Sequence, residues 1–279
     1  MTVRIRRHWG VIALAAILLM TGAIVDGRSA LAAYLVARVA LSAIPIGALG
    51  VLMVSYVVRR DWTESLHPIL TAATATIPIV GILFVPILIF IAHIYPAASD
   101  PTSLPAFRAI YLAPWFFATR TVIYVAIWSL LGWWLRAAWP DRERMLRAAS
   151  FGLIFYALTV SLAGVDWLES LEPDFHSSIY GLLYLCFARL DGVAFAIAVG
   201  LLLQRPLAGI GGYGALLLST ILLWGYLHAM QYIVIWSGNI PDEVVWYIKR
   251  SVHGWQAVLA VLAFGQFVFP FFALLNSRV

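Results

Sequence analysis

The apolar positions of this chain fall into long runs, and short segments that carry most of the charges separate them. A run of about 20 apolar residues is long enough to cross a hydrocarbon core of about 30 Å as an α-helix. The pattern predicts eight helices, at residues 11–26, 31–58, 69–95, 113–135, 148–165, 178–203, 212–236 and 255–275. We therefore expect an all-α polytopic membrane protein with about eight transmembrane helices.

The composition excludes a water-soluble domain. Of the 279 residues, 63% are hydrophobic and only 11% are charged, and the mean hydropathy is +0.93. Soluble domains contain about 25% charged residues. The net charge of +5 does not indicate a nucleic-acid partner, because the basic residues are dispersed among the apolar runs.

The basic residues predict the orientation of the chain. With the N-terminus inside, the outer segments carry only four basic residues, Arg28, Arg108, Lys249 and Arg250, whereas the inner segments carry eleven arginines. Cytoplasmic segments of membrane proteins are enriched in Lys and Arg. The N-terminus and the C-terminus are therefore both predicted to lie inside.

The most basic connection, residues 136–147, is predicted to be a loop that divides the chain into two sets of four helices. We expect two four-helix transmembrane bundles, one over residues 1–140 and one over residues 141–279. Tryptophans near the predicted helix ends indicate an aromatic belt at the membrane interfaces. They are Trp133, Trp134, Trp139, Trp167, Trp236, Trp246 and Trp255.

One carboxylate, Asp191, lies near the middle of the sixth predicted helix. A charge at the bilayer centre costs at least about 2.5–3.5 kcal/mol on insertion scales, so it needs a partner or a function. Tyr180, Tyr184 and Asp191 recur at steps of four and seven, which places them on one helical stripe. Two interpretations are compatible with this: a proton half-channel from the outer loop, and an ion pair with Arg120 or Arg38.

Polar residues on several predicted helices lie at a similar depth in the outer half. Arg120 lies on the fourth helix, His228 and Gln231 lie on the seventh, and His176 stands at the outer start of the sixth. Together with Asp166 of the adjacent outer loop, they are candidates to bind a polar head group attached to a lipid-soluble tail. The single cysteine, Cys186, excludes a cysteine-ligated iron–sulfur cluster on this chain, and no metal site is predicted.

Two segments carry a resemblance to a known family. The segment 166–181, DWLESLEPDFHSSIYG, is similar to a family pattern Asp-Trp-x-x-Ser-Leu-x-Pro followed by Ser-Thr-Ile-Tyr-Gly, and residues 239–243 match an Asn-x-Pro-x-Glu pattern. On these residues the chain resembles a membrane subunit of alternative complex III, a quinol:cytochrome c oxidoreductase. That subunit belongs to the NrfD or polysulfide-reductase-like superfamily.

The resemblance implies an integral membrane subunit of a respiratory quinol-oxidising complex in the bacterial inner membrane, not catalytic alone. It implies quinol or quinone as a ligand, with haem and iron–sulfur centres only on partner subunits. The implied partners are iron–sulfur and multihaem cytochrome c subunits, a paralogous membrane subunit and a cytochrome oxidase. The alternative is a non-catalytic scaffold that docks a cytochrome or a cytochrome oxidase, with the acidic outer loop 166–174 as the landing surface.

Overall fold

A computed structural model describes residues 21, 22, 24–58, 65–96, 106–203 and 210–276. Within these residues the regular structure is helical, and no strand occurs. Among the described residues, seven helices are long and apolar enough to span a membrane: α1 Gly27–Val58, α2 His67–Ile89, α3 Pro114–Ala138, α4 Arg142–Trp167, α5 Tyr180–Leu202, α6 Gly211–Gly238 and α7 Trp255–Leu275. The chain is thus an all-α polytopic membrane protein, as predicted. Of the predicted first span, residues 11–26, residues 11–20 and 23 lie outside the described residues.

Shorter helices lie between the spans at the predicted outer side. They are Ile91–Ile94, Ala106–Tyr111, the 3₁₀-helix Glu169–Leu171 and Pro241–Arg250. The last of these follows α6 and precedes α7, and its Trp246 stacks on Phe175 of the connection between α4 and α5 at a centroid distance of 5.0 Å. These segments cover the outer ends of α4 to α6.

Helix α2 is interrupted into three pieces, His67–Thr74, Ile77–Ile82 and Val85–Ile89. At the second interruption, the N–H groups of Phe84 and Ile87 bond three residues back, so the carbonyls of Val80 and Leu83 lose their helical donors. Two side chains of α1 replace these donors. The Tyr34 hydroxyl donates to the Leu83 carbonyl at 2.6 Å, and the Arg38 guanidinium donates to the Val80 carbonyl. The break is therefore satisfied inside the protein, as a membrane interior requires.

Helix α1 is the most deeply buried of the described spans, and it packs against α5, α4 and α2. Its closest approach is to α5, where a Cβ on Gly192 would lie 2.5 Å from the backbone nitrogen of Ala48. Small residues allow such close contact of helix backbones in membranes. Helix α1 thus packs mainly against helices of the second predicted bundle, and the division into two bundles stays a prediction.

Two expectations about helix ends are wrong. The predicted loop 136–147 is only the short connection 139–141, because Asp141 caps α4 by accepting bonds from the N–H groups of Glu143 and Arg144 at 3.0 and 3.1 Å. The exposed arginines that follow can keep their charges in interfacial water while the helix continues. Trp167, predicted for the interfacial belt, is 1% exposed and lies in the core.

Candidate functional site

The predicted outer polar site contains a buried ion pair between α3 and α4. The Arg120 Nε donates to Asp166 Oδ2 at 2.8 Å, and Nη2 donates to Oδ1 at 3.0 Å. This is the two-point geometry that the planar guanidinium makes with a carboxylate. The Asp166 side chain is completely buried, although the sequence places it in an outer loop; it belongs to the last turn of α4.

Neighbouring groups complete the hydrogen bonding of this pair. The Tyr124 hydroxyl donates to Asp166 Oδ2 at 2.8 Å, and Arg120 Nη1 donates to the backbone carbonyl of Tyr111 at 2.7 Å. The guanidinium also lies over the rings of Tyr111 and Phe116, with its carbon 3.9 and 4.5 Å from the centroids. Burial, with the Asp166 carboxylate adding to it, raises the pKa of the Tyr111 hydroxyl to about 12. Tyr111 therefore stays neutral beside the pair.

The pair settles one of the open interpretations. Arg120 was a candidate partner for Asp191, but its partner is Asp166. Arg38, the other candidate, donates to the Val80 carbonyl instead. Among the described residues, the Asp191 carboxylate has no hydrogen bond and no ion pair.

The remaining head-group candidates do not join Arg120 and Asp166. His176 is exposed and contacts the backbone carbonyl of Asp174 at 3.0 Å. His228 is exposed on α6, where its ring packs on Trp224 at a centroid distance of 4.2 Å. Gln231 is buried, and its Oε1 accepts a long bond of 3.4 Å from the Ser177 hydroxyl. The structure thus brings together two of the five candidates.

The three residues of the predicted proton stripe have different surroundings, because Tyr184 contacts Ser42 of α1 and Trp167 of α4, whereas Tyr180 packs on Phe175 of the outer connection. Tyr184 is buried, whereas Tyr180 and Asp191 are half-buried. The Tyr184 hydroxyl lies 3.4 Å from Ser42 Oγ of α1. Both Arg38 and Asp191 lie within electrostatic range of this hydroxyl.

A further buried hydroxyl, that of Tyr156 on α4, belongs to the same interior. It points at α1, because a Cβ on Gly50 would lie 2.5 Å from it, and Tyr184 and Arg189 lie within its electrostatic range. Among the described residues, neither the Tyr156 hydroxyl nor Arg38 Nε has a hydrogen-bond partner. We call Arg38, Ser42, Tyr156, Tyr184 and Asp191 the interior row. Sequence reasoning missed Ser42 and Tyr156, since isolated hydroxyls within apolar runs give no periodic signal.

Most carboxylates of the acidic outer loop have a partner within the chain. Asp166 is paired in the core, Glu172 accepts from Lys249 Nζ at 2.8 Å, and Glu169 accepts from the backbone N–H of Ser177 at 2.8 Å. Of the four carboxylates between residues 166 and 174, only Asp174 is exposed. In the part of the chain that the structure describes, no group of three or more metal-ligating side chains occurs.

Comparison with known proteins does not identify a family. No protein-family model matches the chain, and no curated protein matches it either. The fold defines the class of protein, an all-α polytopic membrane protein. Among its described residues, some buried side-chain atoms, such as Tyr156 Oη and Arg38 Nε, have no hydrogen-bond partner.

Proposed function

We propose that the chain is an integral subunit of a respiratory quinol-oxidising complex of the bacterial inner membrane, and that its own contribution is a proton path along the interior row. The complex is proposed on the resemblance of residues 166–181 and 239–243. The observation that carries the proton path is that two buried atoms, Tyr156 Oη and Arg38 Nε, have no hydrogen-bond partner among the described residues. Buried polar groups almost always have a hydrogen-bond partner, either protein or ordered water. Water is therefore the natural partner of both atoms.

The positions of these atoms favour a connected chain of water molecules. The Tyr184 hydroxyl lies 3.4 Å from Ser42 Oγ, the Tyr156 hydroxyl points at Gly50, and Asp191 precedes Gly192, where α5 crosses α1. These groups belong to three helices, α1, α4 and α5, that pack on one another. A buried water makes about three hydrogen bonds, so waters among these groups can link hydroxyls to the carboxylate. Intramembrane carboxylates that lie on such chains are typical of proton relays.

A quinone-type site around Arg120 and Asp166 has weaker support. Each oxygen of the Asp166 carboxylate already accepts at least one short hydrogen bond, and the guanidinium donates three bonds to protein oxygens. A head group would have to break these bonds, and an unpaired buried charge is costly. We therefore assign the pair a structural role and propose no quinone site at it.

Partner subunits are part of the proposal. The span of α7 has no buried residues, so its surface is open to lipid or to another subunit. The one cysteine, Cys186, is buried, and an iron–sulfur cluster needs several cysteine ligands, so such clusters of the proposed complex would belong to other subunits.

The scaffold alternative rests on the acidic outer loop as a landing surface. Two of its four carboxylates, Asp166 and Glu172, are paired with cations of the same chain, so half of the negative charge of that surface is compensated. Long-range attraction of a basic cytochrome needs several unpaired charges of one sign. The alternative is therefore the weaker of the two.

The experiment uses the complex purified through an affinity tag on this chain, with its polypeptides, haem spectrum and quinone content determined first. In vesicles, quinol oxidation is then followed together with proton movement by a pH-sensitive dye. Asp191→Asn should abolish proton movement per electron while the complex still assembles. The matched control is Asp174→Asn, the same change on the exposed outer carboxylate, which should leave proton movement unchanged.

Two results would overturn the proposal. Purification of the chain without redox-active partners contradicts the complex, whatever the variant does. Unchanged proton movement in an assembled Asp191→Asn complex contradicts the path and leaves the complex standing.

A further inference from the structure

A cavity opens between α1, α2 and α3 at their predicted inner ends, on the opposite side from the Arg120 pair. Its volume is about 210 Å³. Drug-sized ligand sites are larger, about 300–1,000 Å³, so the space suits a small group or part of a longer molecule. Leu52 of α1 and Leu135 of α3 are both buried and form apolar parts of its wall.

Polar groups stand at one side of this cavity. The Tyr56 hydroxyl and His67 Nε2 are 2.7 Å apart, and the His67 ring stacks on Trp139 with centroids 3.9 Å apart. Arg136 also lines the cavity and donates from Nη1 to Thr74 Oγ1 at 3.1 Å. The aromatic contacts fix the Tyr56 and His67 side chains at the cavity wall.

Arg136 is half-buried and has no carboxylate partner among the described residues. An arginine is always charged, and its remaining N–H groups form a planar fork that matches phosphate or carboxylate oxygens. Residue 132, beside the fork, is glycine. A Cβ there would lie 3.3 Å from Arg136 Nη1 and 3.7 Å from Thr74 Cβ.

A second, open groove adjoins the cavity. It is lined by Tyr56 and by Arg142, Glu143 and Leu146 of the first turns of α4. Tyr56 lines both spaces, so the cavity lies next to a surface that carries the exposed side chains of Arg142 and Glu143. The positive-inside orientation puts both at the level of the inner-leaflet head groups, where phosphate diesters are abundant.

We propose that this cavity binds the phosphate of an inner-leaflet anionic phospholipid, with Arg136 as the anchor and an acyl chain against Leu52 and Leu135. The apolar wall favours a lipid over a free anion, because inorganic phosphate would leave that wall without a contact. Charge-assisted hydrogen bonds from an arginine to phosphate are among the stronger polar contacts in proteins. The proposal is independent of the proton path, since it uses none of the interior row.

The experiment measures binding of phosphatidylglycerol to the detergent-solubilised full chain by native mass spectrometry. Arg136→Gln should weaken binding of the tightest lipid at least about tenfold, the effect of losing charge-assisted bonds. Gly132→Ala keeps the charge and crowds the cavity, and it should weaken the same binding event. The control is Arg28→Gln, which removes an exposed charge at the predicted outer end and should change nothing.

The outcomes separate the sources of binding. An equal loss in Arg136→Gln and Arg28→Gln shows general charge attraction and overturns the proposal. Unchanged binding in Gly132→Ala overturns the role of the cavity, even if Arg136→Gln does not fold. Displacement of the lipid by millimolar inorganic phosphate shows that a free anion is the ligand and overturns the lipid assignment.

Discussion

Replacement of Asp166 by asparagine tests the buried ion pair between Arg120 and Asp166. The change keeps the size of the side chain and removes its charge, while Arg120 stays buried with a side chain that is 10% exposed. The amide can still accept a bond through its oxygen, but its nitrogen then faces a donor. At least one bond from the guanidinium is lost, and the cation has no counter-charge.

The magnitude follows from the contacts. Asp166 accepts two bonds from Arg120 and one from Tyr124. Breaking a buried ion pair by removal of one partner costs about 3–5 kcal/mol. Tyr124→Phe removes a single hydrogen bond to a charged group, which contributes about 1.5–3 kcal/mol. We therefore expect Asp166→Asn to cost about twice as much as Tyr124→Phe.

The assay is reversible unfolding in mixed micelles of dodecylmaltoside and SDS, followed by circular dichroism. The chain provides its own control in the more accessible pair of Glu172 and Lys249, whose side chains are 33% and 55% exposed. Glu172→Gln should change the free energy of unfolding by no more than about 1 kcal/mol, because solvent screens such pairs. Equal effects of Asp166→Asn and Glu172→Gln would refute the assignment of a buried structural pair.

The crossing of α1 and α5 and the start of α4 give two further predictions. Gly192→Ala should strongly lower the midpoint of unfolding, because the added Cβ would meet the backbone of Ala48. Gly214→Ala is the control and should have little effect, because there is open space around residue 214. Equal midpoints for the two variants would contradict the close crossing of α1 and α5. The backbone N–H of Arg144 lowers the pKa of Asp141, with the N–H of Glu143 adding to the effect. The stabilisation is therefore present above the unfolded-state pKa of about 3.9 and is lost as the pH falls below it, so Asp141→Ala should flatten the dependence of thermal stability on pH in acid.

The spans themselves could be predicted because burial in lipid demands long apolar runs, and this signal depends on no tertiary contact. The predicted helix 178–203 is observed as Tyr180–Leu202, and 212–236 as Gly211–Gly238. The start of α4 was missed because Arg142, Arg144 and Arg147 suggested a loop. Exposed arginines at an interface are compatible with a helix, and the cap at Asp141 marks its first residue.

The candidate site was predicted only in part, because the order of residues does not show which side chains of different helices contact one another. Arg120 and Asp166 are 46 positions apart in the sequence. Their similar predicted depth in the membrane was not enough to predict that they form an ion pair. His67 and Arg136 were passed over for a similar reason, since a helix-end histidine and an arginine in a basic connection look like topology signals. Their cavity exists only because α1, α2 and α3 meet at one end.

Both oxygens of Asp166 accept hydrogen bonds, whereas the Tyr156 hydroxyl and Arg38 Nε of the interior row have no partner among the described residues. This difference gives the last prediction. The Tyr156 hydroxyl has no hydrogen-bond partner among the described residues, so phenylalanine in its place removes only a bond to water, which contributes about 0.5–1.5 kcal/mol. Tyr156→Phe should therefore lower the free energy of unfolding by no more than that amount, in contrast to Asp166→Asn. In the assembled complex the same variant should lower proton movement per electron, because the water chain loses a member. A variant that is destabilised and still moves protons normally would show that the Tyr156 hydroxyl serves the fold rather than the path.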